Sequence, residues 1–166
     1  MPRLRCRKYA VITAYLRMEA AWTRTLREVA EAGGDIVVKD EMTRRIVVNV
    51  SKTRIAKILE ILLPRSIGVA VEVKAACKPA RLVDLGKLRE AGFLAVGGRA
   101  GRVYYGVLEG RLVMVEKARG SIIVKVGARA GSRPKSVPPA SAFILKPDDA
   151  QGALEALDMI VAWLKG

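Results

Sequence analysis

Apolar and polar residues along the first half of the chain alternate with two different periods, which predicts strands interleaved with helices. Between Ala14 and Ala32 the apolar residues fall at helical spacing, and Gly33-Gly34 ends that pattern. Ile67 to Ala75 alternates apolar with polar or small residues, as in a strand with one solvated face. The predicted elements are strand 8–13, helix 14–32, a hairpin of strands 35–39 and 44–50, a helix from the N-cap candidate Ser51 to Pro64, and strand 67–75. This β-α-β-β-α-β order predicts a ferredoxin-like lobe at residues 1–77.

The second half has a different pattern. After a linker at Lys78-Pro79, a short helix at 84–91 precedes β-rich segments at 93–96, 102–108, 111–117, 121–126 and 142–146. The segment 127–141 is rich in Gly, Pro, Ser and Arg, which is typical of a loop. A last helix begins near Pro147. We therefore expect an α+β fold in which a curved antiparallel β-lobe with a C-terminal helix, residues 78–166, follows the first lobe.

The net charge of the chain indicates what kind of partner the protein binds. The chain has 30 Lys and Arg against 16 Asp and Glu, a net charge of +14 and a pI near 10.3. Both halves carry the excess, so the folded body itself is positive and attracts polyanions. Nucleic acid is the partner that this charge predicts, and an acidic protein partner or a homo-oligomer is the alternative.

Three basic groups carry that prediction. The segment from Arg99 to Lys135 combines many cations with two tyrosines on a predicted strand, a pattern typical of single-strand binders that stack bases on aromatic rings. The second group flanks a predicted helix start, and the third is an N-terminal arm without acidic residues. The predicted nucleic-acid contacts are Arg99, Arg102, Tyr104, Tyr105, Arg111, Lys117, Lys125, Arg129, Arg133 and Lys135, then Lys52 and Arg54, then Arg3, Arg5 and Arg7.

Catalytic chemistry has few candidate residues. The chain has no His, so imidazole bases, His-based triads and His metal ligands are excluded. Asp35, Asp40 and Glu41 flank one hairpin and could gather a cation, but solvated turn carboxylates explain them as well. We predict no catalytic residues, no metal and no cofactor.

The two cysteines flank the first lobe. Cys6 precedes its first strand and Cys77 follows its last, and these strands are antiparallel neighbours in a ferredoxin-like sheet. A disulfide between them is one interpretation, which in the cytoplasm fits a hyperthermophile; two separate free thiols are the interpretation we favour. One Asn and one Gln in a charge-rich chain also favour a thermophilic source.

The location follows from the apolar pattern. No run of about 18 apolar residues predicts a membrane span, and no apolar signal region follows the basic N-terminus. We expect a cytoplasmic protein with no membrane partner.

Together these patterns predict a non-catalytic protein that binds RNA or single-stranded nucleic acid through a basic β-surface and a flexible Arg/Lys loop. One alternative is a structural subunit of a larger, ribonucleoprotein-like assembly docked on an acidic partner. A nucleic-acid-processing enzyme using Asp, Glu or Lys is the other. RNA-recognition domains share the element order of the first lobe, but Arg44 to Val50 offers no stacking ring.

Overall fold

The computed structural model describes residues 3–98, 101–129 and 150–166. Their fold is mixed α+β, with an eight-stranded antiparallel sheet and a C-terminal helix, which confirms the expected class. In chain order the elements are β1 (Arg5–Leu16), α1 (Trp22–Glu31), β2 (Asp35–Asp40), β3 (Arg45–Ser51), α2 (Ile55–Leu62), β4 (Ser66–Lys78), α3 (Gly86–Glu90), β5 (Leu94–Gly98), β6 (Gly101–Leu108), β7 (Arg111–Ala118), β8 (Ser121–Arg129) and α4 (Ala150–Lys165).

The strands form one continuous sheet in the order β2-β3-β1-β4-β8-β7-β6-β5. The long strand β4 pairs with β1 on one side and with β8 on the other, so it joins the two halves of the chain. Buried residues from both halves belong to one hydrophobic cluster. The helix α4 packs on β4 and β8 and extends that cluster across the junction.

The two faces of the sheet differ in burial. In β1 the residues Ala10, Ile12 and Ala14 are fully buried, whereas the residues between them are partly exposed. Since successive strand residues point to opposite faces, one face carries the core and receives α1, α2 and α4. We call the opposite side the open face, defined by Arg7, Tyr9 and Val11 of β1 and by the residues aligned with them in neighbouring strands.

The first strand is longer than predicted and the first helix is shorter. Ala14 to Leu16 belong to β1, because Ala14 and Leu16 are buried and pair with β3 or β4. The connection from β1 to α1 is instead fixed by Arg44, whose guanidinium donates to the carbonyl oxygens of Arg17 and Ala20. A long-range contact therefore overrides the local helical spacing.

Asp158 of α4 forms ion pairs with two other elements of the chain. Its carboxylate forms ion pairs with Lys8 of β1 and with Lys52, which follows β3; the Lys52 pair measures 3.0 Å. These contacts join α4 to β1 and to the segment that follows β3 on the core face.

Two predictions fall outside the described residues: the strand at 142–146 and most of the loop at 127–141, whose residues 127–129 belong to β8. Across the ranges that the structure covers, every helix is too short or too polar to cross a membrane.

Candidate functional site

Three cations meet at one end of the open face. Arg5 of β1 lies directly opposite Lys78 of β4, and Arg7 lies opposite Ala76. Arg5 and Arg7 are two residues apart on one strand, so they share a face and lie about 7 Å apart along it. All three side chains are exposed. We call Arg5, Arg7 and Lys78 the basic end.

The basic end has no neutralising partner in the part of the chain that the structure describes. No carboxylate forms an ion pair with Arg5, Arg7 or Lys78 there. Like charges directly opposite each other in a sheet are destabilising, so this arrangement has a cost that a bound anion would relieve.

Two clefts adjoin these cations and share Arg7. One has a volume of about 440 Å³ and is lined by Arg5, Cys6, Arg7, Ala76 and Lys78. The other has a volume of about 280 Å³ and is lined by Arg7, Lys8, Tyr9, Gly33, Asp35, Asn49, Val50 and Ser51. These volumes lie near the lower end of the roughly 300–1,000 Å³ range of ligand pockets, so the space suits a small molecule.

The smaller cleft adds hydrogen-bonding groups to the charge. Ser51 lies opposite Tyr9, and Asn49 lies between Val11 and Asp35 across three neighbouring strands. The guanidinium of Arg7 sits over the Tyr9 ring at 4.9 Å from its centroid. This cation–π contact orients the guanidinium and leaves its edge N–H groups free to donate.

Further along the open face the charges are balanced. Glu72 lies 3.5 Å from both Lys74 and Lys125, and Lys125 lies 4.0 Å from Glu116. Two carboxylates therefore offset two ammonium groups in the centre of the sheet. Among the described residues of this face, Arg5, Arg7 and Lys78 are the neighbouring cations that lack such a carboxylate.

The predicted β-surface between Arg99 and Lys135 is split by the geometry of the sheet. Tyr104 is buried on the core face, whereas Tyr105 is partly exposed and pairs with Leu94 and Met114 on the open face. Arg111 is 2% exposed and donates to the carbonyl of Gly127. Lys125 is paired with carboxylates, and Lys117 is exposed near the end of β7. The members of this set that the structure describes therefore do not form one accessible basic surface.

Other predicted contacts lie elsewhere. Arg99, Arg133 and Lys135 lie outside the described residues, as do the side chains of Arg102 and Arg129. Lys52 is paired with Asp158, and Arg54 donates to the carbonyl of Ala32. Ser51, predicted as a helix cap, is the last residue of β3 and makes no capping hydrogen bond. In the N-terminal arm Arg3, Arg5 and Arg7 are all exposed.

The hairpin carboxylates are spread along their strand. Asp35 begins β2 and Asp40 ends it, with Glu41 in the turn beyond. In the described ranges no cluster of three or more His, Cys, Asp or Glu residues could hold a metal ion.

Cys6 and Cys77 are bonded in a disulfide, so the two free thiols that the sequence favoured are wrong and the alternative interpretation holds. They are directly opposite residues of β1 and β4. Cys77 is fully buried, whereas Cys6 is partly exposed and lines the larger cleft. The disulfide thus crosslinks the two strands that carry the basic end, with its side chains on the core side of the sheet.

Sequence reasoning missed two groups of this site. Lys78 was assigned to a linker, although the strand pairing that placed Cys6 near Cys77 also places Arg5 near Lys78. Asn49 and Ser51 were missed because their meeting with Tyr9 depends on the exact register of β1 against β3.

Comparison with known proteins gave structural matches alone. No family model matches the chain, and no curated protein matches it. A putative C-terminal regulatory domain of aspartate kinase from Porphyromonas gingivalis W83 is 12% identical, with a TM-score of 0.32; the match covers 93% of this chain and 92% of that one. E. coli aspartokinase III in complex with aspartate and ADP is 11% identical, with a TM-score of 0.27; the match covers 91% of this chain and 31% of that one.

These findings correct the functional prediction. The predicted nucleic-acid-binding function and nucleic-acid partner are wrong, because the described residues of the predicted binding surface are not jointly available. The sheet gives the physical reason among the described residues: Tyr104 and Arg111 are buried and Lys125 is paired with carboxylates, so these three side chains are not available to a nucleic acid. At this level of similarity no ligand carries over from the kinases to this chain.

Proposed function

We propose that this chain is a binding domain for a small anionic metabolite, held at the basic end of the open face. The observation that carries the proposal is the set Arg5, Arg7 and Lys78, three cations without an ion-pair partner among the described residues, beside two clefts that share Arg7. A carboxylate or a phosphate group on the ligand would accept hydrogen bonds from the guanidinium groups. The rest of the ligand would lie toward Tyr9 and Asn49.

The site chemistry favours a ligand with more than one polar group. Arg7 is shared by both clefts, so an anionic group placed there leaves room on either side. Asp35 and Asn49 lie in the smaller cleft, where Asp35 can accept from an ammonium or hydroxyl group. Such a site binds and orients a ligand without supplying a nucleophile.

Calorimetric titration with citrate, succinate, L-aspartate and inorganic phosphate at constant ionic strength tests the proposal. We expect saturable binding of at least one probe. Succinate and L-aspartate differ by one ammonium group, so their affinity ratio reports whether Asp35 takes part. Absence of saturable binding for all four probes would contradict the proposal.

A variant localises the binding. Arg7→Gln removes one charge-assisted hydrogen bond, worth about 1.5–3 kcal/mol, and should weaken binding about tenfold or more. Arg27→Gln is the matched control, because Arg27 is exposed on α1 and has no ion-pair partner in the described residues. Equal weakening by both variants would indicate diffuse charge attraction and would contradict a defined site.

We also assign the first half of the chain to a ferredoxin-like lobe and the second half to a curved antiparallel β-lobe. The order β1-α1-β2-β3-α2-β4 and the strand order β2-β3-β1-β4 support the first assignment. The boundary at residues 77 and 78 stays a prediction, since β4 pairs with both halves.

A further inference from the structure

The disulfide occupies an unusual position relative to the proposed ligand. It joins β1 to β4 at Cys6 and Cys77, between the Arg5–Lys78 pair and the Arg7–Ala76 pair of the same ladder. Cys6 lines the same 440 Å³ cleft as all three cations. Successive strand residues point to opposite faces, so the disulfide lies on the core face directly behind the cations and joins the two strands that carry them.

The segment that carries Arg5 and Arg7 pairs with β4 but not with β3. Pairing of β1 with β3 begins at Tyr9 opposite Ser51, whereas pairing with β4 begins at Arg5 opposite Lys78. The partner strand β4 is itself held between β1 and β8 around Cys77. Chain ends paired on one side fray more readily than central strands, so the disulfide restrains the less stable of the two strands.

We propose that the Cys6–Cys77 disulfide is a redox control site for the anion site, an inference that rests on the proposed function. In the oxidised chain the crosslink holds Arg5, Arg7 and Lys78 together in the geometry that binds the anion. In the reduced chain residues 5–8 can separate from β4, the three cations spread apart, and affinity falls.

The reaction is a thiol–disulfide exchange with a dithiol reductant. A reductant thiolate attacks the disulfide at Cys6, the more exposed of the two residues, which forms a mixed disulfide and releases the Cys77 thiolate. The second reductant thiolate then attacks the mixed disulfide, which frees Cys6 and leaves the reductant as a cyclic disulfide. Two electrons and two protons pass from the reductant to the protein.

Titration of oxidised and dithiothreitol-reduced protein with citrate tests the inference. We expect the reduced protein to bind about tenfold more weakly, within the usual range of coupling between two sites. Because the chain has only two cysteines, a Cys6→Ser/Cys77→Ser variant should bind like the reduced protein and ignore the reductant. Circular dichroism of each form checks that the sheet remains folded.

The same coupling must appear in the reduction potential. If the oxidised form binds citrate tenfold more tightly, saturating citrate lowers the potential of the disulfide by about 30 mV. Thiol trapping in dithiothreitol redox buffers, with and without citrate, measures that shift even where reduction loosens the fold.

The outcomes separate the two proposals. Equal and saturable affinities in the oxidised and reduced forms, with no shift in potential, would overturn the redox control and leave the anion site standing. No binding in either form would overturn the anion site and the redox control with it.

Discussion

At the scale of single residues, a difference of one position along a strand decides whether a side chain faces the core or the solvent. Tyr104 and Tyr105 are adjacent on β6, yet Tyr104 is buried in the core and Tyr105 lies on the open face. The alternation of a strand predicts that only one of two adjacent tyrosines faces outward. Which one does so depends on the helices that cover the sheet, and the sequence of β6 does not contain that information.

Asp158 gives a residue-scale prediction of pH dependence. Burial by itself would raise the pKa of Asp158, but the contacts and charges of Lys8 and Lys52 outweigh it and hold that pKa below its ordinary value. The folded-state pKa is thus lower than the unfolded-state pKa. Its stabilising contribution is therefore present above about pH 4 and is lost as the pH falls through the folded-state value.

The Asp158→Asn variant should be less stable than the parent at pH 7, and the difference should shrink toward pH 2.5. The Asp158 side chain is 39% exposed, so water screens its ion pairs, and we expect the variant to lose about 1 kcal/mol or less of unfolding free energy. Chemical denaturation at the two pH values measures the difference. Glu155→Gln, an exposed change on the same helix, is the control. A difference that is unchanged at low pH would refute this role of the carboxylate.

At the scale of elements, the packing of Phe93, which follows α3, against strand β6 depends on Gly106. A Cβ atom added at Gly106 would lie 2.6 Å from the ring of Phe93, which is buried. The ring therefore fills the space that a side chain at this position would need. The sequence predicts the strand but not this contact, because Phe93 and Gly106 meet only when β5 and β6 are paired and α3 is in place.

Gly106→Ala should lower the free energy of unfolding by about 1–3 kcal/mol, the usual cost of forcing extra atoms into a packed core. Gly97→Ala in β5 is the matched control, since a Cβ atom there meets nothing within 4 Å. Thermal unfolding of both variants checks the prediction. Equal midpoints for the two would show that Phe93 gives way without cost.

Other elements show how far local sequence can predict this fold. The β2–β3 hairpin and α2 were predicted closely, because their apolar spacing and their turn residues agree with their final environment. The helix predicted from Ala14 begins at Trp22 instead, because the pairing of Ala14 to Leu16 with neighbouring strands outweighs helical spacing. Long-range pairing is the part that local pattern cannot supply.

At the scale of the whole molecule, the two halves share one sheet and one core. The junction of β4 with β8 and the packing of α4 on both strands couple them. We expect a single cooperative unfolding transition for the chain. Each half has one tryptophan, Trp22 in α1 and Trp163 in α4. The single variant Trp163→Phe therefore reports on the first half by fluorescence, and the single variant Trp22→Phe reports on the second half. Two separate midpoints would instead indicate domains that unfold independently.

The charge of the whole molecule was also informative only in part. A net charge of +14 predicts attraction to anions but not where or how large the anion is. The fold pairs Lys8, Lys52, Lys74 and Lys125 with carboxylates, whereas Arg5, Arg7 and Lys78 lie together with no ion pair to any described residue. The position of the candidate site could not be predicted from the amount of charge, because it depends on which cations the strand register brings together without a carboxylate beside them.

The most direct test of the anion site is a titration of isotope-labelled oxidised protein with citrate, followed by the backbone amide shifts in NMR spectra. The account predicts saturable shifts concentrated at Arg5 to Tyr9, at Ala76 to Lys78 and around Asn49, with little change in α1. Shifts spread evenly over the exposed cations of the chain, or confined to the segment from Arg99 to Lys135, would contradict it.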